Sequence, residues 1–220
     1  MLPATNGPPV PNVFLVDDDE AVRDALGLLM RANGLPVSVF ESAEQFLASY
    51  RSEMPGCLLL DIRMPGMSGL KLQDALAERR IGLPIIFITA HGDVPTAVEA
   101  VKKGAVQFLE KPFDDGRLLA LVRDAIEMDH ETRAAAQADA SIGARLDTLT
   151  RRARQVLERV LAGKTSRRIA TELFISVKTV DFHRGRMMQK LEITSLRELF
   201  PIRAYLDRIS GGAPARGRDT

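Results

Sequence analysis

A single cysteine, Cys57, occurs in 220 residues, and no CxxC pair exists. A disulfide framework and a cysteine-built zinc site are therefore excluded. No apolar run approaches the roughly 20 residues that a bilayer-spanning helix needs. The N-terminal MLPATNGPPVPN lacks a basic start and an apolar stretch, so it does not read as a secretory signal. The expectation is a cytoplasmic chain with no membrane partner and a flexible tail over residues 1–11. An overall charge of one sign is missing too, since the formal net is +1. With 45% hydrophobic and 27% charged residues, the chain has the means to bury cores, and its length suits two domains.

The near-zero net charge conceals an asymmetry. From Arg145 onward there are 17 Lys and Arg against 8 Asp and Glu, an excess of nine positive charges. Residues 1–144 hold 13 basic and 21 acidic residues, an excess of eight negative charges. Such halves suggest two domains with different partners, the basic one suited to a polyanion such as nucleic acid. A merely soluble, arginine-rich domain is the bland alternative.

The first half alternates short apolar runs with amphipathic ones. Strands are expected at Val13–Asp17, Val37–Phe40, Cys57–Asp61, Ile85–Thr89 and Ala105–Leu109. Helices are expected at Glu20–Ala32, Ala43–Tyr50, Leu70–Arg79 and Thr96–Lys103, with another starting near Asp114. Near-continuous apolar strands separated by helices predict an α/β fold, a doubly wound parallel sheet covered on both faces. The fifth helical pattern runs on to about Ala140, its apolar face fading past Met128, and reads as an exposed connector. From about 147 to 209 the pattern is all helical: Arg151–Ala162, Ser166–Leu173, Val177–Leu191 and Ser195–Ile209. Thr150, Ser176 and Ser195 suit N-caps, and Pro201 should kink or shorten the last helix. The final GGAPARGRDT is expected to be disordered.

In open parallel sheets, function gathers at the carboxyl ends of the strands. Here those ends carry Asp17-Asp18-Asp19, Asp61, Thr89-Ala90-His91 and Glu110-Lys111-Pro112. The stretch GCLLLDIRMPGMSGL shows the pattern at its clearest: an apolar strand stops on the Asp61 carboxylate, and a Pro/Gly-rich loop follows. Crowded carboxylates need a cation or a retained proton. Oxygen donors without His or Cys suit Mg²⁺. A carboxylate can attack phosphorus, with the Lys111 ammonium and the Thr89 hydroxyl placed to meet the phosphoryl oxygens. Taken singly, Asp19 reads as a helix cap, Asp61 as a turn residue, Lys111-Pro112 as a loop and His91 as an exposed loop histidine. Jointly, Asp17/Asp18, Asp61, Thr89 and Lys111 fit one site.

FLVDDD, LLLDIRMPGMSG, IIFITAHGD and FLEKPF, in this order and spacing, resemble the receiver domain of bacterial two-component response regulators. HGDVPTAVEAVKKGAVQFLEKPF resembles the FixJ subfamily. The resemblance covers about residues 12–128 and implies a flavodoxin-like sheet of strand order 2-1-3-4-5. It implies that Asp61 is the phosphoacceptor, supplied by a sensor histidine kinase. Asp17, Asp18, Asp61 and the backbone carbonyl of Arg63 would hold Mg²⁺. Lys111 would contact the phosphoryl group, its bond to Pro112 being a candidate for the cis form. Thr89 and Phe108 would be the switch pair, and Ala90 is small, as access to the acyl phosphate requires. Arg63 and His91 fall where hydrolysis of the phosphoryl group is modulated. Val98, Lys102 and Phe108 mark the face expected to form a homodimer on phosphorylation. An aspartyl-phosphate phosphatase is the enzymatic alternative; Arg63, standing where such enzymes place a second acid, argues against it.

In the basic half, TSRRIATELF and ISVKTVDFHRGRMMQKL form a helix-turn-helix pattern, with Val180, Met187 and Leu191 as its buried stripe. LTRRARQVLERVLAGKTSRRIATELFISVKTVDFHRGRMMQKL resembles the LuxR/NarL-type DNA-binding domain over about residues 147–209. The resemblance makes Val177–Leu191 the recognition helix and promoter DNA and RNA polymerase the output partners. Lys178, Thr179, His183 and Arg184 would mostly meet the DNA backbone. Asp181, Phe182 and Gly185 would face base edges, and Arg186 completes the set. The chain departs from the pattern at Ala153, Ser166, Arg168 and Phe174. At the last of these a glycine commonly supplies the turn, and a bulky residue at positive φ is disfavoured. The domain plan is thus a tail at 1–11, receiver 12–128, helical linker 129–146, helix-turn-helix 147–209 and a tail at 210–220. A helical half that binds protein instead of DNA is the alternative output.

Overall fold

A computed structural model describes residues 10–90, 98 and 100–211. The expected tails at 1–11 and 210–220 fall largely outside the described residues, as do His91 and part of the helix expected over Thr96–Lys103. Two compact units are present, Met1–Arg133 and Ala134–Thr220.

The first unit is a five-stranded parallel sheet of order β2-β1-β3-β4-β5. Its strands are β1 Asn12–Val16, β2 Val37–Phe40, β3 Gly56–Asp61, β4 Ile85–Thr89 and β5 Gln107–Glu110. Helices α1 Glu20–Ala32, α2 Ala43–Ser49, α3 Gly69–Glu78 and the start of α4 Asp115–Asp147 accompany them. Successive strand residues point to opposite faces, and the burial follows. Phe14, Val16, Leu58, Leu60 and Phe87 join one core with Phe46 and Leu72 of α2 and α3. Val13, Leu15, Leu59, Ile86 and Ile88 join the other with Leu26 and Met30 of α1 and Leu118 and Val122 of α4. Because both faces are covered, every residue of β3 and β4 is buried, which explains their unbroken apolar runs.

The boundaries moved where side chains take over from the ladder. The first strand stops at Val16, because the Asp17 carboxylate accepts the Asp19 amide at 2.9 Å and turns the chain. The fifth begins at Gln107 and not Ala105, whose amide instead closes the preceding helical turn on the Ala100 carbonyl at 3.0 Å. Gly56 opens β3 with φ of 142°, and a Cβ there would lie 1.8 Å from the Asn12 carbonyl oxygen. Its N–H donates at 2.8 Å to the buried Asp129 carboxylate on α4. Arg133, one turn further along, donates to the same carboxylate at 2.7 Å and to the carbonyls of Ser52 and Met54.

The second unit is all helical: the end of α4, then α5 Arg151–Leu161, α6 Ser166–Leu173, α7 Val177–Lys190, a 3₁₀ turn Leu196–Glu198 and α8 Leu199–Gly211. Thr150, Thr165 and Ser176 cap α5, α6 and α7 through their hydroxyls. Ser195 and Glu198 form a capping box. The last expected helix is divided: Pro201 stands in the first turn of α8, where its missing N–H costs nothing. The exposed connector expected over 129–146 is helical, but its ends are not exposed. Asp129 is buried in the first unit, and Ile142 and Leu146 join the core of the second. Among the described residues, no helix is long and apolar enough to cross a membrane.

Phe174 takes the left-handed conformation (φ 53°, ψ 47°) that closes α6, and its ring is 94% exposed. The turn therefore forms without glycine, but at a steric cost and with no packing to offset it. Phe174→Gly is expected to stabilise the helical unit by about 1 kcal/mol, less than the full left-handed penalty because glycine frees the unfolded chain. Urea denaturation of the two proteins measures this; equal or lower stability of the variant would show that the ring has a stabilising contact.

Candidate functional site

Parallel strands bring their carboxyl ends to one edge, and that edge assembles the expected residues. Asp17 follows β1 and is 2% exposed; Asp61 closes β3 and Thr89 closes β4, both buried; Lys111 follows β5. The Lys111 ammonium lies 2.9 Å from Asp17 Oδ2 and 3.6 Å from Asp61 Oδ1, so it stands between the two carboxylates. Its backbone N–H donates to the Thr89 carbonyl at 2.8 Å, and the Lys111–Pro112 bond is cis. The Arg63 amide donates to Asp61 Oδ2 at 2.6 Å. Asp18 is exposed, with no hydrogen-bond partner among the described residues. Asp19 caps α1, accepting the Ala21 and Val22 amides.

Burial pushes the Asp61 carboxyl above the usual carboxylate range. The Arg63 amide pulls it back, Asp17 raises it again, Lys111 lowers it and Asp18 adds a further upward push. Three carboxylates, Asp17, Asp18 and Asp61, stand at this edge against the one Lys111 ammonium, so the site is short of positive charge. Among the described residues, no three acidic, His or Cys side chains converge tightly enough to hold a metal by themselves. The donor chemistry nonetheless fits a hard divalent cation: all-oxygen ligands, an unpaired carboxylate at Asp18 and mutual repulsion at Asp61.

The loop after Asp61 is held by contacts that the sequence reading did not single out. A Cβ at Gly69 would meet the Asp61 carbonyl oxygen at 2.2 Å, so only glycine lets α3 start this close to β3. Glu44 of α2 accepts the Met67 amide at 3.1 Å. Arg23 of α1 donates to the Asp17 carbonyl at 2.7 Å; as one arginine on an amphipathic helix it gave no signal. Phe108 is half-buried, paired in register with Phe87 and packed on the same core. Val98 and Lys102 are both exposed.

In the helical unit, α7 and its C-cap bury Val180, Met187 and Leu191 completely. The opposite face presents Lys178, Phe182, Gly185 and Gln189 to solvent, flanked by Asp181 and Arg186. Gln189 was missing from the expected set, although helical spacing from Lys178 and Phe182 would have found it. Other members are engaged within the protein. Asp181 accepts the Ser166 hydroxyl at 2.9 Å, and Arg184 donates to the same oxygen at 2.9 Å, tying α7 to α6. Thr179 shares the Ser176 cap at 2.8 Å. His183 is half-buried, its ring edge-on to Phe182 at 5.6 Å.

Many of the surplus cations are used internally. Glu172 pairs with Lys164, Arg168 and Arg159, which together hold its carboxyl below the usual range. Arg145, Arg152 and Arg154 donate to the helix-end carbonyls of Leu191, Leu173 and Leu146. Among the described residues of this unit, Arg151, Arg167, Lys178 and Arg197 have no side-chain partner.

Residues 13–123 match the response regulator receiver domain, and residues 147–202 match the luxR family of bacterial regulatory proteins. Sheet, acidic edge and helix-turn-helix together define a receiver followed by a LuxR-type DNA-binding unit. The chain is 46% identical over 191 residues to transcriptional regulatory protein FixJ of Rhizobium meliloti (strain 1021), covering 85% of this chain and 92% of that protein. It is 42% identical over 187 residues to response regulator protein TodT of Pseudomonas putida, covering 85% of this chain and 82% of that protein. A solved structure of response regulator StyR matches with a TM-score of 0.82 at 42% identity, over 90% of this chain and 98% of that one. The chain belongs to the FixJ subfamily of two-component response regulators and is a phosphorylation-activated, DNA-binding transcription regulator. Regulators of this kind partner with histidine kinases, and receiver domains generally bind Mg²⁺ at the acidic phosphorylation site.

Proposed function

We propose that Asp61 is the phosphoacceptor, that Lys111 and Thr89 meet the phosphoryl oxygens, and that Phe108 follows Thr89 as the switch. The observation that carries this reading is the Lys111 ammonium set between Asp17 and Asp61 at the carboxyl edge of the sheet. A carboxylate oxygen of Asp61 attacks the phosphorus of a phosphohistidine donor. The new O–P bond replaces the N–P bond, and the imidazole leaves. Asp17, Asp18, Asp61 and the Arg63 carbonyl would hold Mg²⁺, which when bound offsets charge on the phosphoryl oxygens. The acyl phosphate adds roughly −1.5 to −2 charges where Asp61 stood. Lys111 is drawn from Asp17 toward the new oxygens, Thr89 is recruited, and the region from residue 98 to Phe108 is biased toward a second arrangement. That face forms the homodimer, and the only chemistry on the phosphoryl group beyond transfer is slow self-dephosphorylation.

The organisation proposed is a receiver over 12–128 onto which Asp129 and Arg133 also pack, a helical linker within 129–146 whose Ile142 and Leu146 join the second core, and a DNA-binding domain over 147–209, in a cytoplasmic protein that meets promoter DNA and RNA polymerase. Lys178, Arg184 and Arg186 belong to the phosphate-facing set, and the unpartnered Arg151 and Arg167 join it. Between 50 and 200 mM salt, affinity of the phosphorylated full chain for duplex DNA should fall by about 10³-fold or more, as expected for roughly 6–10 phosphate contacts per dimer. Fluorescence anisotropy with and without acetyl phosphate tests this. Absence of binding at low salt in either state would transfer the helical half to a protein partner.

A further inference from the structure

We propose that Arg23 is a positioning residue for the metal: by holding the Asp17 carbonyl it fixes the peptide that carries Asp18, and so sets the Asp18 carboxylate for Mg²⁺. The proposal rests on the reading of Asp17, Asp18, Asp61 and the Arg63 carbonyl as the Mg²⁺ ligands and concerns a residue outside that set. Three observations carry it.

The first is the place of Arg23. It stands in the opening turn of α1, where its amide donates to the carbonyl of the Asp19 cap at 3.0 Å. Helical side chains lean back toward the N-terminus, so a long one here reaches the loop that leaves β1. The same place is unfavourable for a cation, because the positive end of the helix dipole lies there. The helix itself therefore does not call for arginine.

The second is the partner it takes. Asp17, Asp18, Asp19, Glu20 and Asp24 all lie close by in the chain, yet among the described residues Arg23 pairs with no carboxylate. Its Nη1 donates instead to the Asp17 backbone carbonyl at 2.7 Å, in a part-buried contact. That carbonyl lies past the end of β1. A guanidinium bonded to a backbone oxygen neutralises no carboxylate; it fixes the direction of a peptide.

The third is the contrast between Asp17 and Asp18. The other polar groups of Asp17 are all engaged. Its amide donates to the Phe40 carbonyl at 3.3 Å, and its carboxylate accepts the Asp19 amide and the Lys111 ammonium, each at 2.9 Å. Asp17 is thereby held without Arg23. Asp18 is not: its exposed carboxylate has no partner among the described residues, so the backbone alone decides where it stands. The Asp17 carbonyl and the Asp18 amide belong to one planar peptide unit. Arg23 holds that plane from one side. Without the bond the plane is free to turn, and Mg²⁺ must order it on binding, at the expense of affinity.

The test uses the full, unphosphorylated chain titrated with MgCl₂ in a calorimeter. Arg23→Met keeps an apolar stem and removes the donors. It should bind Mg²⁺ about tenfold more weakly than the natural chain, the lower end of the loss expected when an outer partner of a metal ligand is removed. Arg23→Lys keeps an N–H donor on a long stem, all that a single bond to a carbonyl requires, and should recover most of that loss. Asp129→Asn disturbs the opposite end of β3 and should lower stability without changing Mg²⁺ affinity. In labelling by acetyl phosphate, the Mg²⁺ concentration for half-maximal rate should rise for Arg23→Met by the same factor as the dissociation constant, with a smaller effect at saturating Mg²⁺. Arg23→Met binding Mg²⁺ as tightly as the natural chain, or weakened no more than Asp129→Asn, overturns the proposal and leaves the ligand set standing. Arg23→Lys binding as weakly as Arg23→Met does the same. No Mg²⁺ binding by the natural chain overturns the ligand set as well.

Discussion

Asp61→Asn is expected to abolish phosphoryl labelling by acetyl phosphate and to leave DNA affinity unresponsive to the phosphodonor. The substitution keeps the shape and the Arg63 contact but removes the nucleophilic carboxylate oxygen. Asp17 cannot substitute: one oxygen accepts the Asp19 amide and the other accepts Lys111, and the residue is almost wholly buried. Asp18 is exposed but off the Lys111 bridge. Labelling is read by intact-mass spectrometry, and a phosphoryl adduct on the variant would move the acceptor to another residue. A second effect has the opposite sense. Burial and the neighbouring acids raise the Asp61 pKa in the folded state. Its contribution is therefore fully favourable only below the ordinary carboxylate range and is lost as pH rises through the raised value. At neutral pH the ionised Asp61 destabilises the receiver. Asp61→Asn should therefore melt higher than the natural chain at pH 7, and the advantage should shrink toward pH 3–4, near the unperturbed carboxylate range. One variant thus separates signalling from folding: inactive, yet more stable.

Asp129→Ala should carry the largest loss of stability. Asp129 is 2% exposed and accepts both the Gly56 N–H, at 2.8 Å, and the Arg133 guanidinium, at 2.7 Å. Removing one partner of a fully buried ion pair costs about 3–5 kcal/mol, because the other charge stays behind without compensation; the Arg133 side chain is 27% exposed, and its access to water lowers that figure. Here a backbone donor at the start of the central strand β3 is also orphaned. Arg133 keeps its bonds to Ser52 and Met54, which places the expected loss near the lower end. Asp129→Asn should retain the Gly56 bond and lose less. Arg133→Ala combined with Asp129→Ala should cost less than the two single losses added, since the residues act as one unit. Urea titration monitored by circular dichroism measures all four proteins; strict additivity would mean that the pair is not coupled.

The contrast between Asp61 and Asp129 shows which information a sequence carries openly. Asp61 ends a run of four apolar residues and precedes a Pro/Gly loop, so strand periodicity and breaker residues locate it. The other site residues end sibling strands, and parallel topology does the rest. Asp129 sits in DHETR, which by periodicity is an exposed helix end. Its burial depends on Gly56, 73 residues away, and no local pattern encodes that pairing. Arg23, Glu44 and the internal use of Arg184 were hidden for the same reason. The strand ends at Asp17 and Ala105 shifted because side-chain and turn hydrogen bonds compete with the ladder at distances that periodicity does not resolve. Phe174 was legible as a conflict between residue and turn, and the turn won, because the caps and the packing of Leu173 and Val180 on either side determine the geometry.

The bare ring at the close of α6 has a practical consequence. The chain contains no tryptophan, so an indole placed at position 174 would be its sole strong fluorophore. It would stand in water a few residues before the cap of α7, at a place where the ring contributes nothing to either core. Light emitted from that corner, two residues before the Ser176 cap, would test without a dye whether a nucleic acid docks beside α7.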